Sequence, residues 1–132
     1  MCKFIPAALL GLVVLGTPVL AQEDYRANEV SLVRSFYRQY LHRDPDPEGL
    51  RGFVDYLRNG GSPDLALAQI LASNEYYSQA GGTDADYIRS LFRDLGRREP
   101  GRAELREWLG RMNGETNAEI ATDLIRRFRR FR

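Results

Sequence analysis

Three residue types that commonly build functional sites are almost absent from this chain. Its 132 residues include one cysteine, Cys2, one histidine, His42, and one lysine, Lys3. A lone cysteine excludes an intramolecular disulfide and a cysteine metal site. One histidine cannot form a histidine metal site or support a Ser–His–Asp assignment. His42 is expected at the surface or at a helix C-terminus, where a cation complements the helix dipole.

The first 21 residues have the pattern of a secretory signal peptide. Lys3 gives a positive start, residues 4–19 are almost wholly apolar, and Val19-Leu20-Ala21 places small residues before a cut. An uncleaved membrane anchor is the alternative because the stretch is close to spanning length, but the small residues favour cleavage. We expect an exported protein, periplasmic or secreted in a bacterium, whose folded part is residues 22–132.

Charge in that folded part is balanced. Residues 22–132 carry 18 arginines and 18 acidic residues, so the formal net charge is zero. Long-range attraction of the whole protein to nucleic acid is therefore not expected. With no disulfide available, the fold must depend on its apolar core.

The chain contains an internal repeat at an offset of 55 residues. Arg43-Asp44-Pro45 returns as Arg98-Glu99-Pro100, and Leu50-Arg51-x-Phe53-Val54 returns as Leu105-Arg106-x-Trp108-Leu109. A fixed period predicts a duplicated structural unit. The repeated positions are arginine, proline and apolar residues, so they indicate architecture and not catalysis.

Apolar residues recur at helical spacing nearly everywhere, and no segment alternates as a strand does. Asp46-Pro47-Glu48 predicts a helix start, with an N-cap, a proline at the first position and an acid in the first turn. The other predicted starts are Ser62, Thr83 or Asp84, and Thr116 or Asn117. The third helix is expected to run from Ser62 to Tyr77, with Leu65, Leu67, Ile70 and Leu71 inside.

We therefore predict an all-α fold of six helices, arranged as two tandem three-helix repeats that pack into one domain. Repeat one covers about residues 28–79 and repeat two about residues 83–132. One copy of about 40 residues could hardly bury its own apolar face, so the two copies are expected to pack on each other.

The first copy resembles a known bacterial family. Residues 33–60, followed by Ile70-Leu-Ala-Ser-Asn-Glu-Tyr76, look like a helical repeat of unknown function that is common in secreted and surface proteins, including RTX-type exoproteins. The segment is also similar to the linker-polypeptide domain of phycobilisomes, a helical module that binds other proteins. The likeness covers residues 30–77 well and 87–125 loosely. It implies a non-catalytic scaffold and supplies no catalytic residues.

The acidic loop before the second helix allows two interpretations. Asp44, Asp46, Glu48 and Gly49, with Asp55 in twelfth place, partly follow a calcium-binding EF-hand loop. The twelfth position lacks the bidentate glutamate, and two prolines stiffen the loop. Helix capping explains the same residues more simply.

Arginine pairs recur on the first helix of each copy. Arg34 and Arg38 correspond to Arg89 and Arg93. They form either a solvated face or a shared docking surface for a carboxylate, which arginine binds in bidentate fashion.

The C-terminal residues combine arginine with phenylalanine. The candidate contacts there are Arg126, Arg127, Phe128, Arg129, Arg130 and Phe131. Such a segment suits an anionic lipid surface or an acidic partner; the alternative is that its phenylalanines pack into the fold.

These observations predict an exported, non-catalytic helical module that binds another envelope or extracellular protein. The alternative function is attachment to membrane lipid or acidic polysaccharide through the C-terminal arginines and phenylalanines. We expect no enzyme activity, because no nucleophile–base pair or metal set is visible, and we expect no cofactor.

Overall fold

The computed structural model describes the backbone of residues 19–130 and the side chains of residues 27–130. This part of the chain is all-α and contains no strand, as predicted. The helices are α1 (Val19–Phe36), which continues into a π-helical turn (Tyr37–Leu41), α2 (Pro47–Arg58), α3 (Pro63–Leu71), α4 (Asn74–Ala80), α5 (Asp84–Gly96), α6 (Arg102–Arg111) and α7 (Asn117–Arg129).

The described residues form seven α-helices, so the prediction of six was wrong. The predicted third helix is interrupted at Ala72–Ser73, and α4 begins afresh. The Ser73 hydroxyl donates to the carbonyl of Ile70 (2.7 Å) and accepts from the amide of Tyr76 (3.2 Å). Ser73 therefore ends one helix and caps the next. The apolar spacing continues into Tyr76, which concealed the break.

Most predicted helix starts are confirmed by their caps. Asp46 accepts from the amide of Gly49, and Ser62 accepts from the amide of Asp64. In the two places where the sequence allowed a choice, the N-caps are Thr83 and Thr116. Gly60 takes a left-handed backbone (φ 86°) just after α2, as expected for a helix terminator.

The first helix ends in a wider turn than its sequence predicts. The π-helical segment buries Tyr37, Tyr40 and Leu41, and His42 follows in the left-handed conformation (φ 55°) as its C-cap. This confirms the expected position of His42 at a helix C-terminus. The other non-glycine residue with positive φ in the described chain is Arg97 (φ 57°), at the end of α5.

A single apolar core joins the first and second halves of the sequence. Helices α3 and α7 make the most extensive contact between any two helices, and α5 packs on both α6 and α7. The largest fully buried side chains are Tyr87, Phe92, Leu71, Ile88, Leu91, Ile120, Leu124 and Val33. Burying each of these apolar side chains stabilises the fold by roughly 1.5–3 kcal/mol.

The predicted signal peptide, residues 1–21, lies outside the described residues except for its last three, which begin α1. Within residues 19–130, none of the helices has both the length and the apolar character needed to cross a membrane.

We predict that Ser73→Ala lowers the free energy of unfolding by about 1 kcal/mol, because the α4 N-cap is lost. The measurement is urea denaturation followed by circular dichroism. Ser78→Ala in the same helix is the control, since Ser78 is exposed and caps nothing. Equal midpoints for the two variants would contradict a capping role for Ser73.

Candidate interaction groove

Two large apolar side chains are exposed among the described residues, and they share one groove. Tyr56 is 39% exposed and Leu65 is 41% exposed. Both line a hollow of about 430 Å³ between α2 and α3 that has no charged residue in its lining. Its remaining walls are Gly49, Gly52, Phe53, Ala66 and Gln69. Contiguous exposed apolar surface is one feature of interaction sites, so this groove is the candidate site.

Glycine on α2 keeps this groove open. Gly49, Gly52, Phe53 and Tyr56 are spaced by three and four, so they lie on one face of the helix. A Cβ atom at Gly52 would meet nothing within 4 Å, whereas one at Gly49 would lie 3.0 Å from the Asp46 carboxylate. Gly52 therefore leaves space on the groove wall, and Gly49 permits the helix cap.

A second hollow, bordered by α7, adjoins the apolar groove. Leu65 and Gln69 also line this second hollow, of about 490 Å³, between α3 and α7. Arg111, Asp123 and Arg126 of that hollow in turn line a third one, of about 480 Å³, between α6 and α7. We call these three neighbouring hollows, which share lining residues, the trough; its apolar end is at Tyr56 and Leu65 and its basic end at α6 and α7.

The basic end of the trough has more cations than anions. Its lining contains Arg111, Arg126, Arg127 and Arg130, against two acidic residues, Glu107 and Asp123. Arg126 is 62% exposed and lies 3.8 Å from Asp123. Arg130 is exposed and has no ion pair within residues 27–130.

Arg111 of this group has two carboxylate partners. It pairs with Glu115 (2.6 Å) and Asp123 (2.5 Å), and its guanidinium lies 4.3 Å from the ring centre of Trp108. The hydrogen bonds that Arg111 donates to Glu115 and then to Asp123 raise the pKa of Arg111 above its ordinary value. Beneath it, the buried indole N–H of Trp108 finds no acceptor among the described residues. Arg130 is therefore the one arginine of this lining without an ion pair among residues 27–130, and the Trp108 indole N–H is buried.

Three residues of the arginine- and phenylalanine-rich C-terminal segment contact other helices. Arg127 pairs with Glu104 of α6 (2.8 Å), and Arg129 pairs with Asp64 of α3. The ring of Phe128 meets that of Phe92 edge to face, with centres 5.3 Å apart. A Cβ at Gly96 would come within 2.4 Å of the Phe128 ring, so glycine permits this close packing. Arg126 and Arg130 point outward, and the predicted contact Phe131 lies outside the described residues.

The four arginines predicted as contacts on the first helix of each copy do not line the trough. Arg38 pairs with Asp44 (2.6 Å), Arg89 with Asp86 (3.3 Å) and Arg93 with Glu99 (3.2 Å). Arg34 is exposed and has no ion pair among the described side chains. Each paired arginine thus meets a carboxylate from its own half of the sequence.

The carboxylates of Asp44 and Asp46 in the acidic loop form local hydrogen bonds. Asp44 accepts from Arg38, and the hydrogen bond from the Gly49 amide holds the pKa of Asp46 below its usual value. Capping by Asp46 is therefore confirmed. No group of three or more acidic, histidine or cysteine side chains within residues 27–130 is arranged to hold a metal ion.

A polar hollow of about 350 Å³ brings together residues that the sequence keeps far apart. His42, Ser90 and Asp94 all line it, together with Tyr76 and Arg93. The Asp94 carboxylate accepts from the Tyr76 hydroxyl (2.7 Å), and Ser90 accepts from Arg93 (3.2 Å). Within the described residues no hydrogen bond joins His42 to Ser90 or Asp94, so these groups do not form a nucleophile–base pair. Sequence reasoning missed this cluster because its members come from three elements.

Comparison with known families gives one match. Residues 66–126 match the model of a family described as "Domain of unknown function (DUF4214)". No curated protein and no solved structure matches the chain. The matched stretch runs from α3 to α7 and supports the expectation of a domain of unknown function. It includes all of residues 87–125, where the likeness was expected to be loose, and only the end of residues 30–77.

We predict that Phe128→Ala lowers the free energy of unfolding by about 2–3 kcal/mol, because a half-buried ring leaves a cavity beside Phe92. Arg130→Ala is the control, since its side chain is exposed. Thermal and urea denaturation of both variants give the comparison. A Phe128→Ala protein as stable as the control would mean that this ring contributes no packing.

We predict that Glu104 stabilises the fold in a pH-dependent way. Hydrogen bonds from Arg98 and then the Gly101 amide lower the pKa of Glu104 from 4.5 to about 2 in the folded state. Because the folded value is the lower one, the stabilisation is complete above about pH 4.5 and disappears as the pH falls toward 2. Glu104→Gln should therefore lower the melting temperature at pH 7, with a deficit that shrinks below pH 4.5.

The control for this pH series is Glu107→Gln, on the same helix but exposed and without an ion pair among the described residues. Melting curves from pH 7 to pH 2 should separate the two variants. A deficit for Glu104→Gln that stays constant across the series would contradict the assignment.

Proposed function

We propose that this chain is an exported, non-catalytic helical module that binds another protein of the bacterial envelope or of the extracellular medium. The observation that carries the proposal is the uncharged groove between α2 and α3, because both exposed large apolar residues of the described chain, Tyr56 and Leu65, line it. Apolar anchors in concave surfaces contribute most of the affinity in protein interfaces.

Export is supported by the N-terminal sequence alone. Lys3, the apolar residues 4–19 and the small residues Val19 and Ala21 are typical of a cleaved signal peptide. In an oxidising compartment, a folded part without cysteine also avoids unwanted disulfides.

We further propose that the fold consists of two tandem copies that have diverged. Three correspondences support this at the offset of 55: His42 and Arg97 share the left-handed conformation, Asp46 and Gly101 are N-caps, and Phe53 and Trp108 face inward on α2 and α6. Helices α3 and α7 begin 54 residues apart and pack on each other. The likeness to repeats of RTX-type exoproteins and to phycobilisome linker domains agrees with a binding role.

The second candidate is attachment to an anionic surface, lipid or acidic polysaccharide. It is favoured by Arg126 and Arg130, which are exposed at the C-terminal end of α7. Arg127, Phe128 and Arg129 contribute less to such a surface, because their side chains contact Glu104, Phe92 and Asp64.

In-cell crosslinking of the tagged chain, followed by mass spectrometry, tests the two candidates. We expect one dominant protein partner, and we expect Leu65→Asp to reduce its capture at least tenfold because a charge enters the apolar groove. The control is Ala103→Asp, an exposed position on α6 that lies outside the trough. Circular dichroism melting must show that both variants fold.

A different pattern of recovery would support the surface-binding candidate instead. The surface-binding candidate predicts that the tagged chain is recovered in the membrane or polysaccharide fraction. The Leu65→Asp variant should be recovered there equally well, and the double variant Arg126→Gln/Arg130→Gln should not be recovered there. These point variants are preferable to deletion of residues 126–132, since that segment includes the packed ring of Phe128.

A further inference from the structure

We infer that the polar hollow between the π-helical turn, α4 and α5 binds a small zwitterion, a free α-amino acid, which carries an ammonium group and a carboxylate. The Asp94 carboxylate binds the ammonium group, and the Arg93 guanidinium binds the carboxylate. The hollow shares no lining residue with the trough. The inference therefore goes beyond the proposed function and does not depend on it.

The hollow has the size and the rigidity that a small-molecule site needs. Its volume of about 350 Å³ lies within the range of roughly 300–1,000 Å³ that ligand pockets occupy. Two hydrogen bonds hold its walls together in the absence of a ligand. The Tyr76 hydroxyl of α4 donates to Asp94 of α5 (2.7 Å), and the Gln79 amide of α4 donates to the carbonyl of Leu41 in the π-helical turn (3.3 Å).

The Asp94 carboxylate is the anionic group of the hollow. It is half-buried, and among residues 27–130 it has no ion pair and accepts one hydrogen bond, at Oδ2 from Tyr76. Tyr76 is 3% exposed, and its burial, followed by the charge of Asp94, raises the pKa of the Tyr76 hydroxyl. That hydroxyl therefore stays protonated and fixes the carboxylate. Oδ1 remains to accept from a ligand, and an ammonium group is a donor of opposite charge.

The Arg93 guanidinium is the cationic group of the hollow. Its Nη2 donates to the Ser90 hydroxyl (3.2 Å), and its Nε lies 3.2 Å from a carboxylate oxygen of Glu99. Both side chains of the Glu99 pair are more than half exposed, so water weakens that attraction. Nη1 donates no hydrogen bond to the described residues. A ligand carboxylate can accept from Nη1 and from the Ser90 hydroxyl, which keeps its own hydrogen.

The two charges of the hollow do not satisfy each other. Arg93 and Asp94 are neighbours in sequence and line the same hollow, yet they form no ion pair with each other in the described structure. A ligand with a single positive charge would be attracted by Asp94 and repelled by Arg93, and a single negative charge would meet the reverse. A zwitterion complements both groups at once. The hollow therefore selects against analogues that carry only one of the two charges.

A thermal-shift screen of the purified chain against the twenty common L-amino acids, at millimolar concentration, tests the inference. We expect at least one amino acid to raise the melting temperature, because a ligand of the folded state stabilises it. Isothermal titration calorimetry then gives the dissociation constant of that amino acid. Its methyl ester lacks the carboxylate charge and its N-acetyl derivative lacks the ammonium charge, so each should bind at least tenfold more weakly.

The informative variants are Asp94→Asn and Arg93→Gln. Asparagine keeps an oxygen that can accept from Tyr76, so the first exchange removes the charge and retains the hydrogen bond to α4. We expect each variant to weaken amino acid binding at least tenfold. Glu99→Gln is the matched control, since Glu99 contacts Arg93 but does not line the hollow. This control should bind at least as tightly as the wild-type chain, and circular dichroism melting should show that all three variants fold.

Three results would overturn the inference. The first is that none of the amino acids raises the melting temperature, and the second is that the ester or the N-acetyl derivative binds as tightly as the parent. The third is wild-type affinity in Asp94→Asn or Arg93→Gln. None of these results affects the groove at Tyr56 and Leu65, so the proposed function is tested separately by capture of a partner with Leu65→Asp.

Discussion

Helices α3 and α7 lie against each other through their apolar faces, and this contact joins the first and second halves of the sequence. Leu67, Ile70 and Leu71 of α3 are buried, as are Leu124 and Ile125 of α7. Ala68 and Ala121, both fully buried, have side chains small enough to permit close approach. Because residues of both helices line the second hollow, the same packing that unites the halves also forms the walls of this hollow.

Local features of the fold could be predicted from the sequence because they depend on neighbouring residues. The caps at Asp46, Ser62 and Thr116 need only a polar side chain and an amide two or three positions later. Ser73 has the same type of signal, but the run of apolar residues around it favoured one long helix. The helix is nevertheless interrupted, because the Ser73 hydroxyl makes hydrogen bonds with groups on both sides, the carbonyl of Ile70 and the amide of Tyr76.

The candidate site could be predicted only in part. The sequence indicated that Arg126 and Arg130 were available for a partner, but it also offered Arg127 and Arg129, whose partners Glu104 and Asp64 lie on other helices. Leu65 was predicted to be inside, yet it is 41% exposed on the groove. Whether a side chain on α3 meets another helix or solvent depends on the arrangement of α2 and α7, which periodicity along one helix does not specify.

The position of α7 in the chain also has a consequence for when the candidate binding surface exists. One wall of the trough comes from α2 and α3 and the other from α6 and α7, separated by α4 and α5. During synthesis, the second wall emerges after all the other described helices. An unfinished or unfolded chain therefore has apolar segments but no assembled trough. Under the proposed function, a partner that contacts both walls binds only chains that have completed folding, and an occupied trough in turn holds both halves together.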